Sequence, residues 1–175
     1  MFVCAGDSEQ FDFAMPIGIG MMDAAINLTR LCLEHTPESL TFVGTAGSYG
    51  RKGIFDIVES HSATNIENGF FDGKTYTPIE NAVSTIEDVS RETLVNSSHY
   101  ITTDVASAKQ YLENDIDLEN MEFYAVLKVA KALDIPAKGI LIVTNYCNAE
   151  AHKDFIANHD EAKQLLSEYI KDRYA

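Results

Sequence analysis

The sequence predicts an α/β fold, a single domain over residues 1–175 with a mixed, in part parallel, central sheet flanked by helices. Three observations predict it. Two short apolar runs, Leu40–Val43 and Gly139–Val143, have the composition of central strands buried on both faces. Helical periodicity alternates with them, over Met21–Glu34, Met121–Leu133 and His159–Arg173. Two pairs that carry polar groups, Met121-Glu122 and Thr144-Asn145, stand where a helix opens and where a strand runs out, and those are the places at which such sheets present groups to a small ligand.

Taken in order, Met1–Ala5 reads as a short buried strand cut off by Gly6. Ala14–Gly20, with Pro16, Gly18 and Gly20, reads as a second short strand or a loop of close backbone approach. Ala25, Leu28 and Cys32 recur at helical spacing, and Pro37 stops that helix. Leu40–Val43 runs into a glycine-rich turn, Gly44–Gly50, and Phe55–Val58 follows as a strand. The polar segment Glu67–Pro78 belongs on the surface. Glu92–Val95 is a strand feeding the loop Asn96–Ile101, and Asp104 opens a short helix. Met121–Leu133 carries Ala125, Val126, Val129, Ala130 and Leu133 on one face, and His159–Arg173 closes the chain as an amphipathic helix with Leu165, Leu166, Tyr169 and Ile170.

Thirteen Lys and Arg stand against 27 Asp and Glu, a net charge of −14 with the acidic residues spread along the chain. Such a chain repels phosphate backbones and anionic lipid, so neither nucleic acid nor membrane is expected as a partner. Cys4, Cys32 and Cys147 are far apart without C-x-x-C spacing, which points to reduced thiols instead of disulfides or zinc. With no signal-like opening and no apolar stretch of spanning length, a cytoplasmic protein is expected.

Several residues could carry chemistry. The hydroxyls of Thr45 and Ser48 and the amides of Gly44–Gly47 could hold a ribose or an anion, or the segment is a plain structural turn; it has neither P-loop nor dinucleotide-site spacing. Glu122, in the first turn of its helix, is either a cap favoured by the helix dipole or an acceptor for vicinal sugar hydroxyls. Asn145 offers a donor and an acceptor that suit a heterocycle edge, or it forms a turn. Tyr100 and Tyr124 could stack on a planar base or pack in the core. His35, His61, His99, His152 and His159 are scattered, and no metal site or cofactor is expected.

In their order these segments resemble the family of purine nucleoside phosphorylases and methylthioadenosine/S-adenosylhomocysteine nucleosidases. Ile17–Gly20 with the following helix is similar to the family's glycine-bearing strand and first helix, Val43–Gly47 to the turn beneath the ribose, and Phe55–Val58 to the next strand. Ser98–Ile101 lies where the family places an aromatic on the purine, Met121-Glu122 corresponds to its Met-Glu pair, and Thr144-Asn145 falls where nucleosidases carry Ser-Asp. His152–Phe155 fits the segment after it.

The resemblance implies a nucleoside phosphorylase-like fold that binds a purine nucleoside and cleaves its N-glycosidic bond, with phosphate or water as acceptor. It assigns ribose contact to Met121, Glu122 and Thr45, base contact to Tyr100, Ile101 and Asn145, and backbone contact beneath the sugar to Gly44, Ala46 and Gly47. It also implies a homo-oligomer. The chain departs from the family at three points. The segment before Pro16 is short, leaving Glu9 to replace the family's water-activating glutamate; Phe42 stands at the phosphorylase arginine; and Asn145 replaces the aspartic acid that protonates the leaving base. An amide can hydrogen-bond a purine but cannot deliver a proton, so a catalytically degenerate nucleoside or base binder, a sensor or assembly subunit, is the alternative.

Overall fold

The computed structural model describes residues 1–174, and among them one nine-stranded mixed sheet is flanked by helices. Its spine is the pair β3 (Leu40–Ser48) and β9 (Ala137–Tyr146), parallel along their whole length. Alternation explains why their central runs, Phe42–Val43 and Ile140–Val143, are apolar at every step. Phe42, Leu141 and Val143 face one core with α1 (Met21–His35) and α4 (Phe123–Ala132), while Val43, Ile140 and Ile142 face a second core with α5 (Ala151–Tyr174). Neither face of these central runs meets water, so no polar alternation is left in them.

The glycine-rich segment is a correction to the sequence reading. Gly44, Ala46 and Gly47 do not form a turn; they continue β3 to Ser48, because β9 supplies a partner at every step as far as Tyr146. The register shifts between Ala46 and Gly47, a bulge that bends the strand where it enters the site. A turn follows only at Gly50, whose φ of 140° lies outside the comfortable range of other residues.

The strand β1 (Phe2–Cys4) pairs with β2 (Met15–Pro16) and with the start of β3, at Thr41 and Phe42. On the same edge of β3, β8 (Ile116–Asn120) pairs only with Gly47 and Ser48. Between them Val43–Ala46 is left for side chains to complete, which opens the sheet at its middle. Beyond β8 the sheet runs on through β7 (Leu94–Ser97) and β5 (Ser62–Thr64) to β6 (Ala82–Ser84), while β4 (Ile57–Ser60) pairs antiparallel with β9. The strands β5, β6 and β8 have no counterpart in the sequence reading. In β8 the buried residues include Asp117, Glu119 and Asn120, a composition that hides a strand.

Two shorter helices, α2 (Asn68–Phe71) and α3 (Val105–Glu113), lie beside the β5–β8 half, and Asp104 caps α3 by accepting a hydrogen bond from the Ser107 amide at 2.8 Å. The strand expected from Phe55 begins at Ile57, since Phe55 holds a φ of 68°. The closing helix starts at Ala151, eight residues before the start at His159 that the sequence suggests. No helix of the described residues is long and apolar enough to cross a membrane.

Candidate functional site

The opening beside β3 is a cavity of about 280 Å³ into which the ends of β3, β8 and β9 and the starts of α4 and α5 project. Its first carboxylate comes from Glu9. A tight turn, Gly6 to Glu9, closes through the Glu9 amide donating to the Gly6 carbonyl at 3.0 Å, and Gly6 adopts a φ of 93°. A Cβ at Gly6 would sit 2.8 Å from the Pro16 Cβ, so only glycine lets the turn lie against β2. The Thr45 amide donates to Glu9 Oε2 at 3.0 Å and the Thr45 hydroxyl to Oε1. A side-chain carboxylate thus takes the place a strand carbonyl would hold between β1 and β8. Burial pushes the Glu9 carboxyl above its usual range, and the two hydrogen bonds from Thr45 oppose that shift.

Glu122 stands at the N-cap of α4, yet its side chain makes no capping bond. Its Oε1 instead accepts from the Gly20 amide at 2.7 Å, across 102 residues of chain, and Asn120 Nδ2 lies 3.5 Å from Oε2. The capping alternative for this residue is thereby replaced by a tertiary contact. Burial pushes the Glu122 carboxyl up to about 7; the Gly20 hydrogen bond works against burial and the Glu9 charge adds to it.

Asn145 closes the opposite wall. The Thr144 hydroxyl donates to Asn145 Oδ1 at 2.9 Å, and Asn145 Nδ2 donates to the Tyr146 carbonyl at 3.2 Å. Thr144 is held in turn by Asn158 of α5, whose Nδ2 donates to its carbonyl at 2.8 Å. The amide is thereby held at both its oxygen and its nitrogen where Asn145 lines the cavity.

Glu9, Thr45, Ala46, Gly47, Tyr100, Ile101, Met121, Glu122 and Asn145 all line this one cavity. Tyr100 is 84% exposed and sits at its mouth. Gly44 lies behind the wall, where a Cβ would come within 2.9 Å of Glu9 Oε2. Tyr124 is not in the cavity: its hydroxyl donates to the Glu80 carbonyl at 2.6 Å beside a groove between α1 and α4. Ser48 also turns away, its hydroxyl donating to the Lys52 carbonyl at 2.7 Å.

Sequence reasoning missed Glu119, His152 and Phe155 as lining residues. Glu119 is 5% exposed; its Oε1 accepts from the Thr102 amide at 2.9 Å and its Oε2 from the Tyr49 hydroxyl at 3.0 Å. A charged residue at an alternating position inside a buried strand was the signal that could have found it. Burial raises its pKa as well. The lining thus holds three carboxyl side chains and no Lys or Arg. Among the described residues no group of His, Cys, Asp and Glu could hold a metal ion.

The fold that builds this cavity recurs in solved structures. Futalosine hydrolase of Helicobacter pylori superposes with a TM-score of 0.78 at 16% identity, over 90% of this chain and 76% of that one. A mutant of the 5′-methylthioadenosine/S-adenosylhomocysteine nucleosidase of the same bacterium, with 5′-methylthioadenosine in its active site, gives 0.76 at 14% identity, over 91% and 78%. The Streptococcus pneumoniae nucleosidase in complex with 8-aminoadenine gives 0.74 at 15% identity, over 95% and 94%. At these identities the likeness is one of fold. No curated protein matches the chain. The model of the phosphorylase superfamily matches residues 13–172, nearly the whole length over which this sheet and its cavity are built, and the chain belongs to that superfamily.

Proposed function

We propose that this protein is a purine nucleosidase, which binds a nucleoside in the carboxyl-lined cavity and hydrolyses its N-glycosidic bond. The observation that carries the choice of water over phosphate is the make-up of the cavity wall: Glu9, Glu119 and Glu122 line it without a Lys or Arg, so no fixed cation is there to offset a phosphate dianion in a medium of low dielectric. The residue at the phosphorylase arginine position, Phe42, is wholly buried and stacks on Phe123 with centroids 6.1 Å apart.

In this reading Glu122 accepts hydrogen bonds from the sugar hydroxyls, Met121 and Thr45 border the ribose, and Tyr100 and Ile101 cover the base. Glu9 orients a water and takes its proton as the water oxygen bonds the anomeric carbon. The glycosidic electron pair leaves with the base, Asn145 Nδ2 donates a hydrogen bond to it, and solvent supplies the proton that the amide cannot. Similar folds that hold 5′-methylthioadenosine or 8-aminoadenine support a nucleoside-sized occupant. Three buried free cysteines support a reducing, cytoplasmic setting, and exposed Met22, Ile26 and Leu33 on α1 support a homo-oligomer.

The test is chromatographic: purified protein with adenosine, inosine, guanosine, methylthioadenosine and S-adenosylhomocysteine, each with and without phosphate. Free base released equally in both arms is the expected result, and strict phosphate dependence would overturn the choice of acceptor. Asn145 favours a second reading, a binder that does not turn over, because loss of a general acid removes about a hundredfold to ten-thousandfold in rate. Saturable thermal stabilisation by a nucleoside without base release would establish that reading instead.

A further inference from the structure

Glu119 is buried in β8, and the hydrolysis above gives it no task. A buried carboxyl is costly unless its oxygens are paired, and these are. Oε1 accepts from the Thr102 amide at 2.9 Å, Oε2 accepts from the Tyr49 hydroxyl at 3.0 Å, and the Cys147 thiol donates to the same carboxylate. The three donors come from three parts of the fold: the segment after β7, the residue after β3 and the residue after β9. Tyr49 is itself buried and stacks on Tyr111 with centroids 4.3 Å apart and planes 7° from parallel. The carboxylate is therefore a fixed point on a strand.

Thr102 ends the segment that carries Tyr100 and Ile101, the residues that cover the base in the reading above. From Ser98 to Ser107, Thr102 alone is buried, while His99, Tyr100 and Ile101 are exposed. A segment with so little buried surface owes its placement to hydrogen bonds. It is tied to β8 at both ends. The Ser98 amide donates to the Asn120 carbonyl at 3.1 Å, a main-chain bond that any residue at that position would accept. The tie at the other end depends on a side chain, because the Thr102 amide bonds the Glu119 carboxylate and not a strand carbonyl. Between the two ties the Tyr100 amide donates to the Ser98 hydroxyl at 3.1 Å, a bond inside the segment that fixes it to nothing else.

We infer that Glu119 is a positioning residue: by holding the Thr102 amide it sets the Ser98–Thr102 segment so that Tyr100 and Ile101 stand at the cavity before a nucleoside arrives. It acts through Thr102 and needs no contact with the base. The inference rests on the nucleoside-binding reading and deepens it. Without the tie the segment samples other placements, and apparent affinity falls in proportion to the time spent in the competent one. The Tyr49 bond is not equivalent, since it engages the other carboxyl oxygen and does not touch the segment.

Calorimetry with adenosine and inosine, together with hydrogen exchange of the backbone amides, tests this. Glu119→Met keeps the length of the side chain and removes its acceptors. Glu119→Gln keeps an oxygen for the Thr102 amide and an NH₂ group that can donate to the Tyr49 oxygen, and Tyr49→Phe removes one bond to Glu119 while leaving the segment tied. Glu119→Met is expected to bind whichever nucleoside the wild type binds at least about tenfold more weakly, with faster exchange at Thr102, and the other two variants to stay within about threefold of wild type. All are compared well below their melting temperatures, so that lost stability does not register as lost affinity. A folded Glu119→Met that binds like wild type, or a Tyr49→Phe that loses as much as Glu119→Met, would overturn the positioning role while leaving nucleoside binding intact. If Glu119→Met does not fold, exchange in the wild type decides: a Thr102 amide protected well beyond those of Tyr100 and Ile101 supports the tie, and one that exchanges as fast as they do refutes it. A wild type that binds neither nucleoside would overturn both this inference and the nucleosidase reading beneath it.

Discussion

Glu122 shows how one side chain can be legible in kind and not in placement. Its neighbourhood in sequence suggested a helix start, and α4 does start there, but the carboxylate is spent on the Gly20 amide at 2.7 Å instead of on its own helix. Raised by burial to about 7 from an ordinary value near 4.5, this carboxyl is protonated in both folded and unfolded chains at low pH. Its contribution to stability is complete below about pH 4.5 and is lost as pH rises through about 7, where the folded protein must hold a buried charge. Glu122→Gln should therefore flatten the fall in stability between those limits, by up to about 3 kcal/mol, and urea titrations of both proteins across the window would detect it. An ionised Glu122 is also the better acceptor for sugar hydroxyls, so nucleoside affinity should rise with pH through about 7. Glu122→Ala should weaken nucleoside binding by at least about tenfold at pH 8; equal affinity of variant and wild type in calorimetry would remove the ribose assignment.

At the scale of elements the site depends on where β3 bends. Gly47 sits at the bulge, and a methyl group there meets Asn145 Nδ2 and Cys147 Sγ at 3.0 Å each. Gly47→Ala should cost about 1–3 kcal/mol of stability and a larger share of ligand affinity, because the clash falls on cavity-lining groups. Gly139→Ala is the control on the neighbouring strand. Its Cβ would come within 2.7 Å of the Phe123 ring, so a similar loss of stability is expected from denaturant melts with nucleoside affinity of the surviving folded protein unchanged. The helix α5 docks by Ala162, Leu166 and Ile170, a stripe at four-residue spacing that the sequence displays. Its first two turns have no such stripe, since Ala151, His152 and Phe155 face the cavity instead of the core, and the sequence reading accordingly began the helix too late.

For the molecule as a whole, a net charge of −14 together with three carboxyls lining the cavity sets the response to solution conditions. Self-repulsion is screened over about 10 Å at 0.1 M salt, so the melting temperature should rise between 20 and about 300 mM sodium chloride. A flat scanning-calorimetry profile across that range would show that the surface acids are spaced too widely to repel. The same charge bears on chemistry. Under the nucleosidase reading, adding phosphate should leave base release unaltered, because no Lys or Arg in the cavity lining compensates a dianion.

The sequence by itself determined the α/β class, the two spine strands and the helices α1, α4 and α5. These follow from local apolar periodicity, and burial on one stripe or on both faces is written directly into composition. Through a resemblance carried by their order along the chain, it also offered Glu9, Thr45, Tyr100, Met121, Glu122 and Asn145 as candidates. Only the tertiary structure decided that these residues meet, that Gly44–Ser48 is a strand and not a turn, and that Glu119 belongs with them. The reason is physical. A glycine-rich segment becomes a strand when a partner such as β9 lies alongside it, and a charged residue enters a buried strand when Tyr49 and Thr102, 70 and 17 positions away, supply its hydrogen bonds.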